Sequence, residues 1–298
     1  MSQHGRLMRL ATYASISTAG VLIFAKLAAW LYSDSVSLFA TLIDSTLDVL
    51  ASLINLLAVR HALQPADRDH RFGHGKAEAL AGLGQSMFVA GSAGFLLLEA
   101  SRRLLHPREV DDIGVGVAVM VFSIVATLAL LLFQNHVIKK TGSTAIKADA
   151  LHYKTDLLVN FSVIAALLLA AYGWSGFDSI FAIGIAGYIL YSAWEIVHES
   201  YQHLMDRELP REERDQIKAI IHAHPQTRGV HDLRTRRSGS TVFIQFHLEL
   251  DGGLTLLNAH AISDEVELQL MEAFPNAEVI IHEDPAGLEE YIPDFGKP

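Results

Sequence analysis

Residues 36–62 read VSLFATLIDSTLDVLASLINLLAVRHA, and this stretch decides the fold. It is apolar and 27 residues long, enough to cross a roughly 30 Å hydrocarbon core as a helix. Two acids interrupt it, Asp44 and Asp48. An ionisable group at membrane depth costs at least about 2.5–3.5 kcal/mol, so two of them in one span need a reason. Their i,i+4 spacing puts both carboxylates on one helix face.

Further apolar runs surround this one. Residues 79–98, 113–133 and 157–177 contain no Asp, Glu, Lys or Arg. Residues 10–32 carry only Lys26, and residues 179–198 only Glu195. Together they predict six transmembrane helices near 9–32, 36–62, 77–104, 113–138, 145–171 and 178–202. The first is too long for a cleavable signal peptide and lacks a small-residue cleavage site. Lys and Arg concentrate at the N-terminus (Arg6, Arg9), the second loop (Arg68, Arg71, Lys76) and the fourth (Lys139, Lys140, Lys147). The third loop departs from this pattern with Arg102, Arg103 and Arg108, partly offset by Glu109, Asp111 and Asp112. By the positive-inside rule the majority places both termini in the cytoplasm.

The fifth span opens with a second i,i+4 pair, His152 and Asp156. Counting 1.5 Å per residue from each helix start puts Asp44 level with Asp156, and Asp48 level with His152, near the midplane. Three carboxylates and an imidazole suit tetrahedral Zn²⁺. Alternatively, such groups bond to the Ser, Asn and water of a polar bundle interior, with Lys26 or Lys154 pairing one acid. Two matched pairs at equal depth favour metal or proton transport.

Composition narrows the remaining choices. Of 298 residues, 51% are hydrophobic and 19% charged, and mean hydropathy is +0.28. That disfavours a disordered or fibrous chain and an ordinary soluble enzyme. Net charge is −10, which argues against nucleic-acid binding. There is no cysteine, so no disulfide, Cys-ligated zinc or iron–sulfur cluster is available. The 15 histidines leave imidazole and carboxylate as metal ligands.

A domain boundary is expected at residue 206, with 1–206 forming the membrane domain and 207–298 a soluble one. The second segment holds nine basic and seventeen acidic residues and so carries most of the net charge. Its patterning predicts a helix from Pro210 to His224, strands Gly229–Arg236 and Thr241–Leu250 joined by a turn at Arg237-Ser238-Gly239-Ser240, a helix Leu256–Phe274 and a strand Ala277–His282. The order α-β-β-α-β gives an α+β domain with helices on one face of a sheet. The tail after Pro285 reads as loose.

Two more ligand clusters stand outside the spans. Asp67, His70 and His74 lie in the loop after the second span, where a surface metal site and a solvated basic loop are equally compatible with the spacing. His231, His247, His260, His282 and Asp284 fall on or beside the soluble strands and second helix. Five ligand-type groups in 92 residues raise the metal reading there, although spacing alone does not make them converge.

These motifs, in this order, resemble the cation diffusion facilitator family, and within it the bacterial zinc and ferrous-iron efflux branch. The match is carried by Pro65-Ala66-Asp67 with Phe72-Gly73-His74-Gly75-Lys76, by Ala150-Leu151-His152-Tyr153-Lys154-Thr155-Asp156 and by Val230-His231-Asp232-Leu233-Arg234-Thr235-Arg236. Phe243-Ile244-Gln245-Phe246-His247 and Ile280-Ile281-His282-Glu283-Asp284-Pro285 continue it. The resemblance implies a homodimer in the bacterial inner membrane that exports Zn²⁺, or Fe²⁺ or Cd²⁺, in exchange for H⁺. It implies a six-helix membrane bundle and a cytoplasmic domain of the metallochaperone, ferredoxin-like kind. Asp44, Asp48, His152 and Asp156 would be the transport site, and Asp67, His70 and His74 a loop site. His231, His247, His260, His282 and Asp284 would form a binuclear zinc site that supports dimerisation. Lys76 and Asp206 would pair between the two domains, and Leu151 would be a hydrophobic gate.

The residues also bear on rival readings. A Mn²⁺ exporter prefers harder, all-oxygen ligands, whereas His152 moves preference toward Zn²⁺ and Fe²⁺. An intramembrane zinc hydrolase needs an open metal position and a general base, often as HExxH. Here His198-Glu199 is followed by Gln202 where the second His would stand, so an enzyme is not expected. A non-transporting membrane metal sensor has no need of midplane ligands.

Overall fold

The computed structural model describes residues 3–33, 36–105, 114–171 and 177–287. Within the helices, the side chains of residues 3, 33, 36–41, 43, 44, 47, 103–105, 114–117, 163, 165–171 and 177–179 lie outside that description. The chain divides into two compact units, Met1–Tyr201 and Gln202–Pro298.

The first unit is built from α1 (Gln3–Ser33), α2 (Val36–Ala62), α3 (Lys76–Leu105), α4 (Gly114–Thr141), α5 (Thr144–Ala171) and all but the last turn of α6 (Phe177–Leu204). In lipid, a helix is the local structure that satisfies every backbone N–H and C=O within its own segment. Among the described residues, four spans are long and apolar enough to cross a membrane by length and composition, His4–Tyr32, Lys76–Arg102, Ala118–Thr141 and Ile180–Leu204. Helices α2 and α5 carry Asp44, Asp48, His152 and Asp156.

Sequence sets where these helices stop. Gly142 adopts φ +64, the left-handed conformation glycine takes most easily, and its N–H caps α4 on the Ile138 carbonyl at 2.8 Å. Ser143 then caps α5, its Oγ accepting from the Ile146 N–H at 3.2 Å. Two residues thus turn the chain from α4 into α5 and fix where His152 falls.

Helix α1 packs on α2 and α4, α3 on α5, and α4 on α5. Small residues make close approach possible. Ala11, Ser15 and Ala19 of α1 are buried. At Gly82 of α3, an added Cβ would lie 3.0 Å from Ser200 Oγ and 3.2 Å from the Thr144 carbonyl oxygen. Phe24, Phe95, Leu98, Leu132 and Trp194 instead point outward. Small residues inside and large apolar ones outside is the arrangement of a membrane bundle.

The second unit contains α7 (Arg211–Ala223), β1 (Gly229–Ser238), β2 (Thr241–Leu250), α8 (Leu256–Ala273) and β3 (Ala277–Pro285). Strand order is β1-β2-β3, with β1 antiparallel and β3 parallel to the central β2. One face of β2 (Val242, Ile244, Phe246, Leu248, Leu250) packs on Ile217 and Ile221 of α7 and Ile262, Val266 and Leu270 of α8. Both helices therefore cover the same face, and the other face of the sheet carries the polar alternates.

The strands differ from expectation at two ends. β1 runs two residues further, because Ser238 still pairs with Thr241 and the turn contracts to Gly239 (φ +58) and Ser240. β3 runs to Pro285 rather than His282, because its parallel register on β2 continues through Glu249↔Asp284 and Leu250↔Pro285. The expectation for the tail beyond residue 287 lies outside the described residues.

Candidate metal centres

Three groups of ligand-type side chains come together among the described residues. The first lies inside the helical unit. Asp48 on α2 and His152 on α5 are both buried, with Asp48 Oδ1 at 2.9 Å from His152 Nε2. With Asp156 they offer ligand atoms that all lie within 4.8 Å of one another. Helical periodicity explains why: His152 and Asp156 are one turn apart on α5 and project from the same face. Asp44, the fourth expected member, has a side chain outside the described residues. Leu151 points elsewhere, into a contact with Val89 and Ala93 of α3 and Ile189 and Ala193 of α6.

One turn before His152 lies a fully buried acid that motif reading missed. Asp149 Oδ2 accepts from Ser15 Oγ at 2.5 Å and Gln134 Nε2 at 2.7 Å, and its Oδ1 accepts from Gln85 Nε2 at 3.0 Å. Its partners come from α1, α4 and α3, so it pins the helix that carries His152 to three others. The signal was present in the sequence as one more acid in an apolar helix, but its donors lie 15 to 134 residues away.

The second group is the loop between α2 and α3. Asp67 Oδ1 accepts from the backbone N–H of Asp69 at 2.9 Å and of His70 at 2.7 Å. His70 Nδ1 lies 3.3 Å from Asp67 Oδ1 and His74 Nε2 3.3 Å from Asp67 Oδ2. The His70 backbone N–H holds the Asp67 carboxyl below its ordinary pKa, so it is ionised and available to a cation. Gly73 at φ +75 makes the bend that returns His74 to Asp67. His61 adds its ring to this group, 4.6 Å from His74 by centroid.

The third group lies on the face of the sheet opposite the helices. Register places His231, His247 and His282 in one row across β1, β2 and β3. Ring centroids are 4.9 Å apart for His231–His247 and 4.6 Å for His247–His282. Asp284 is the hub. Its Oδ2 lies 2.7 Å from His247 Nδ1 and 3.5 Å from His231 Nε2, and its Oδ1 lies 3.1 Å from His282 Nε2. One carboxylate thus faces three imidazoles, a nitrogen and oxygen donor set of the kind that could hold a divalent metal ion.

Two further residues complete this centre, and sequence reading did not select them. Glu249 Oε1 lies 2.9 Å from His231 Nδ1, leaving His231 Nε2 turned toward Asp284. A carboxylate on the second ring nitrogen fixes orientation and raises basicity in many metal-binding histidines. Gly229, paired opposite Glu249, leaves the room, since a Cβ there would sit 2.6 Å from Glu249 Oε2. Asp232, at φ +46 in the β-bulge of β1, brings Oδ2 to 3.9 Å from His247 Nε2. A bulge re-aims a side chain, and no periodicity in the sequence announces it.

His260 is the exception within this cluster. It sits exposed on α8, where its Nε2 is 3.7 Å from Asp264 Oδ2, and α8 covers the opposite face of the sheet from the histidine row. Within one chain the structure does not bring it to Asp284. Lys76 and Asp206 belong to different units. In its own unit Asp206 accepts from Arg236 Nη1 at 3.3 Å, and the Arg236 guanidinium stacks 4.4 Å over the Phe243 ring.

Comparison with known proteins adds an independent line. Residues 12–205 match the family described as the cation efflux transmembrane domain, and residues 209–286 match the cation efflux protein cytoplasmic domain. The cation-efflux pump FieF of Klebsiella pneumoniae subsp. pneumoniae is 50% identical over 285 residues, covering 96% of this chain and 95% of that protein. The cation-efflux pump FieF of Shewanella oneidensis is 52% identical over 288 residues, covering 97% of each. A solved structure of the metal-bound C-terminal domain of the CzcD transporter from Thermotoga maritima is 28% identical, covering 28% of this chain and 100% of that one, with a TM-score of 0.26.

Proposed function

The chain belongs to the cation efflux family, an integral membrane family that moves divalent metal cations, and on that premise we propose that it exports Zn²⁺ from the cytoplasm in exchange for H⁺. Asp44, Asp48, His152 and Asp156 form the transport site in this reading. The observation that carries it is the meeting of Asp48, His152 and Asp156 inside the helical unit.

Exchange follows from ligand chemistry. Zn²⁺ takes neutral imidazole and ionised carboxylate, so metal and proton compete for the same lone pairs. His152 is the natural proton partner near neutral pH, because an unperturbed imidazole titrates near 6.5. Zn²⁺ arriving from the cytoplasm displaces protons, and protons arriving from the other side help release it. Leu151, next to His152 on α5 and packed against α3 and α6, is the hydrophobic gate in this reading. Fe²⁺ and Cd²⁺ fit the same imidazole-containing site, whereas Mn²⁺ fits it less well.

The remaining assignments belong to the same proposal. The protein acts as a homodimer in the bacterial inner membrane, with both termini and the soluble domain, residues 207–298, in the cytoplasm. His231, His247, His260, His282 and Asp284 hold structural or regulatory Zn²⁺ in a binuclear site that supports dimerisation, with Glu249 orienting His231. Asp67, His70 and His74 form a loop site at the membrane surface, and Lys76 and Asp206 pair between the domains.

Zinc uptake into sealed proteoliposomes tests the reading, with Mn²⁺, Fe²⁺ and Cd²⁺ as competitors and Asp156→Ala as the comparison. Uptake that is lost in the variant, and inhibited by Fe²⁺ and Cd²⁺ more than by Mn²⁺, is the expected result. Equal uptake by both proteins contradicts it.

A further inference from the structure

The four proposed ligands leave a charge unaccounted for. Three carboxylates and a neutral imidazole around a divalent cation carry a net charge of minus one. In a helical bundle of low dielectric, an uncompensated charge is expensive.

Lys26 is the one Asp, Glu, Lys or Arg in residues 10–33, and so the one such charge on α1 beyond its first turns. An ammonium at that depth also carries a cost and calls for a partner. Its Nζ donates to Ser45 Oγ at 2.6 Å. Ser45 is buried on α2, one residue after Asp44 and three before Asp48. Lys26 itself is half-buried. The ammonium is therefore held against the segment of α2 that carries two of the proposed ligands, by a side chain lying between them in sequence.

The other lysine near the site is engaged differently. Lys154 lies between His152 and Asp156 in sequence, but its Nζ bonds to the Tyr188 hydroxyl on α6 and lies 4.8 Å from the centre of that ring. Among the described residues, Lys26 is the lysine bonded to the ligand segment of α2.

We propose that Lys26 is a built-in counter-ion of the transport site, supplying the third positive charge when a divalent cation is bound. Because it repels that cation, it also sets how tightly the metal is held and how readily it leaves. The inference rests on the transport-site reading of Asp44, Asp48, His152 and Asp156. It differs from a tie between α1 and α2, which would need only the hydrogen bond to Ser45.

Initial rates of Zn²⁺ uptake into proteoliposomes, measured over a range of Zn²⁺ concentrations, separate the two roles. The proteins compared are wild type, Lys26→Arg, Lys26→Met, Lys26→Gln and Asp48→Ala. Removing a unit charge near a divalent ion should lower KM for Zn²⁺ roughly three- to tenfold in Lys26→Met, with a matching fall in maximal rate as release slows. Lys26→Arg keeps both parameters within about twofold, since guanidinium retains the charge. Lys26→Gln keeps a donor for Ser45 without the charge, and it behaves like the Met variant. It also provides the answer if Lys26→Met does not fold. A fall in maximal rate with KM unchanged or raised, or a Gln variant that matches wild type, overturns the proposal. Wild type without uptake, or Asp48→Ala equal to wild type, has a different signature and removes the transport-site reading on which it stands.

Discussion

The centre inside the helices and the centre on the sheet use the same donors, imidazole and carboxylate, on opposite architectures. Inside the helical unit, Asp48, His152 and Asp156 come from two helices and are wholly or mostly buried. On the sheet, three histidines from three strands form a row around Asp284, with His282 largely exposed and Asp284 buried. A buried cluster of acids has no water to fall back on and must be balanced by its cargo, protons or a fixed cation. An exposed row can hold metal permanently, because water and neighbouring carboxylates satisfy what the metal does not. The same chemistry thus suits exchange in one place and residence in the other.

The largest effect that would break this contrast is at Asp48. Asp48→Ala should abolish gradient-driven Zn²⁺ uptake while leaving zinc bound to the soluble unit, as measured by equilibrium dialysis of the full-length protein in detergent. Loss of both activities would mean that the two centres are not independent. Next comes the hub of the sheet. Asp284→Ala removes the carboxylate that faces all three histidines and should cost more zinc affinity there than loss of His282 alone. Zinc titration of the two variants ranks them, and equal losses would deny Asp284 a bridging role.

A smaller effect sharpens the sheet side. Glu249→Gln should weaken zinc binding at His231 by roughly 10- to 100-fold, the usual cost of losing an orienting carboxylate behind a metal-bound imidazole. Unchanged affinity would leave Glu249 as a salt-bridge partner only. The smallest effect concerns the loop. The Asp67 carboxyl lies below its ordinary pKa because it accepts from the His70 backbone N–H. A depressed acid pKa contributes order that is present above the unfolded value and lost as pH falls through the folded one. Protection of the Asp69 and His70 amides, relative to their intrinsic exchange rates, should therefore fall in acid, below the ordinary range of an aspartate, and protection that does not change there would contradict it.

These centres were unequally legible in the sequence, for a physical reason. Residues four apart on a helix share a face whatever the rest of the fold does, so the pairs Asp44/Asp48 and His152/Asp156 could be read directly. Five of the six helices fall within three residues of their expected ends, since apolar length in a membrane is set by the bilayer, and α1 begins six residues earlier than expected. Cross-strand neighbours depend on register, and register depends on turns and bulges. Nothing in the spacing of Gly229, His231 and Glu249 shows that the glycine makes room for the glutamate. Asp232 reaches His247 only because β1 bulges between His231 and Arg234. His260 was chosen by residue type, and within one chain α8 covers the face of the sheet opposite the histidine row. Asp149 was hidden differently, because its donors Ser15, Gln85 and Gln134 come from three separate helices.

The central claim is that Asp48, His152 and Asp156 exchange metal for protons. Stopped-flow recording of Zn²⁺ entry and internal pH in the same proteoliposomes tests it most directly. The account predicts that internal pH rises as Zn²⁺ enters, as protons leave in exchange, and that both signals vanish together in Asp48→Ala. Zinc entry with no accompanying pH change would contradict it.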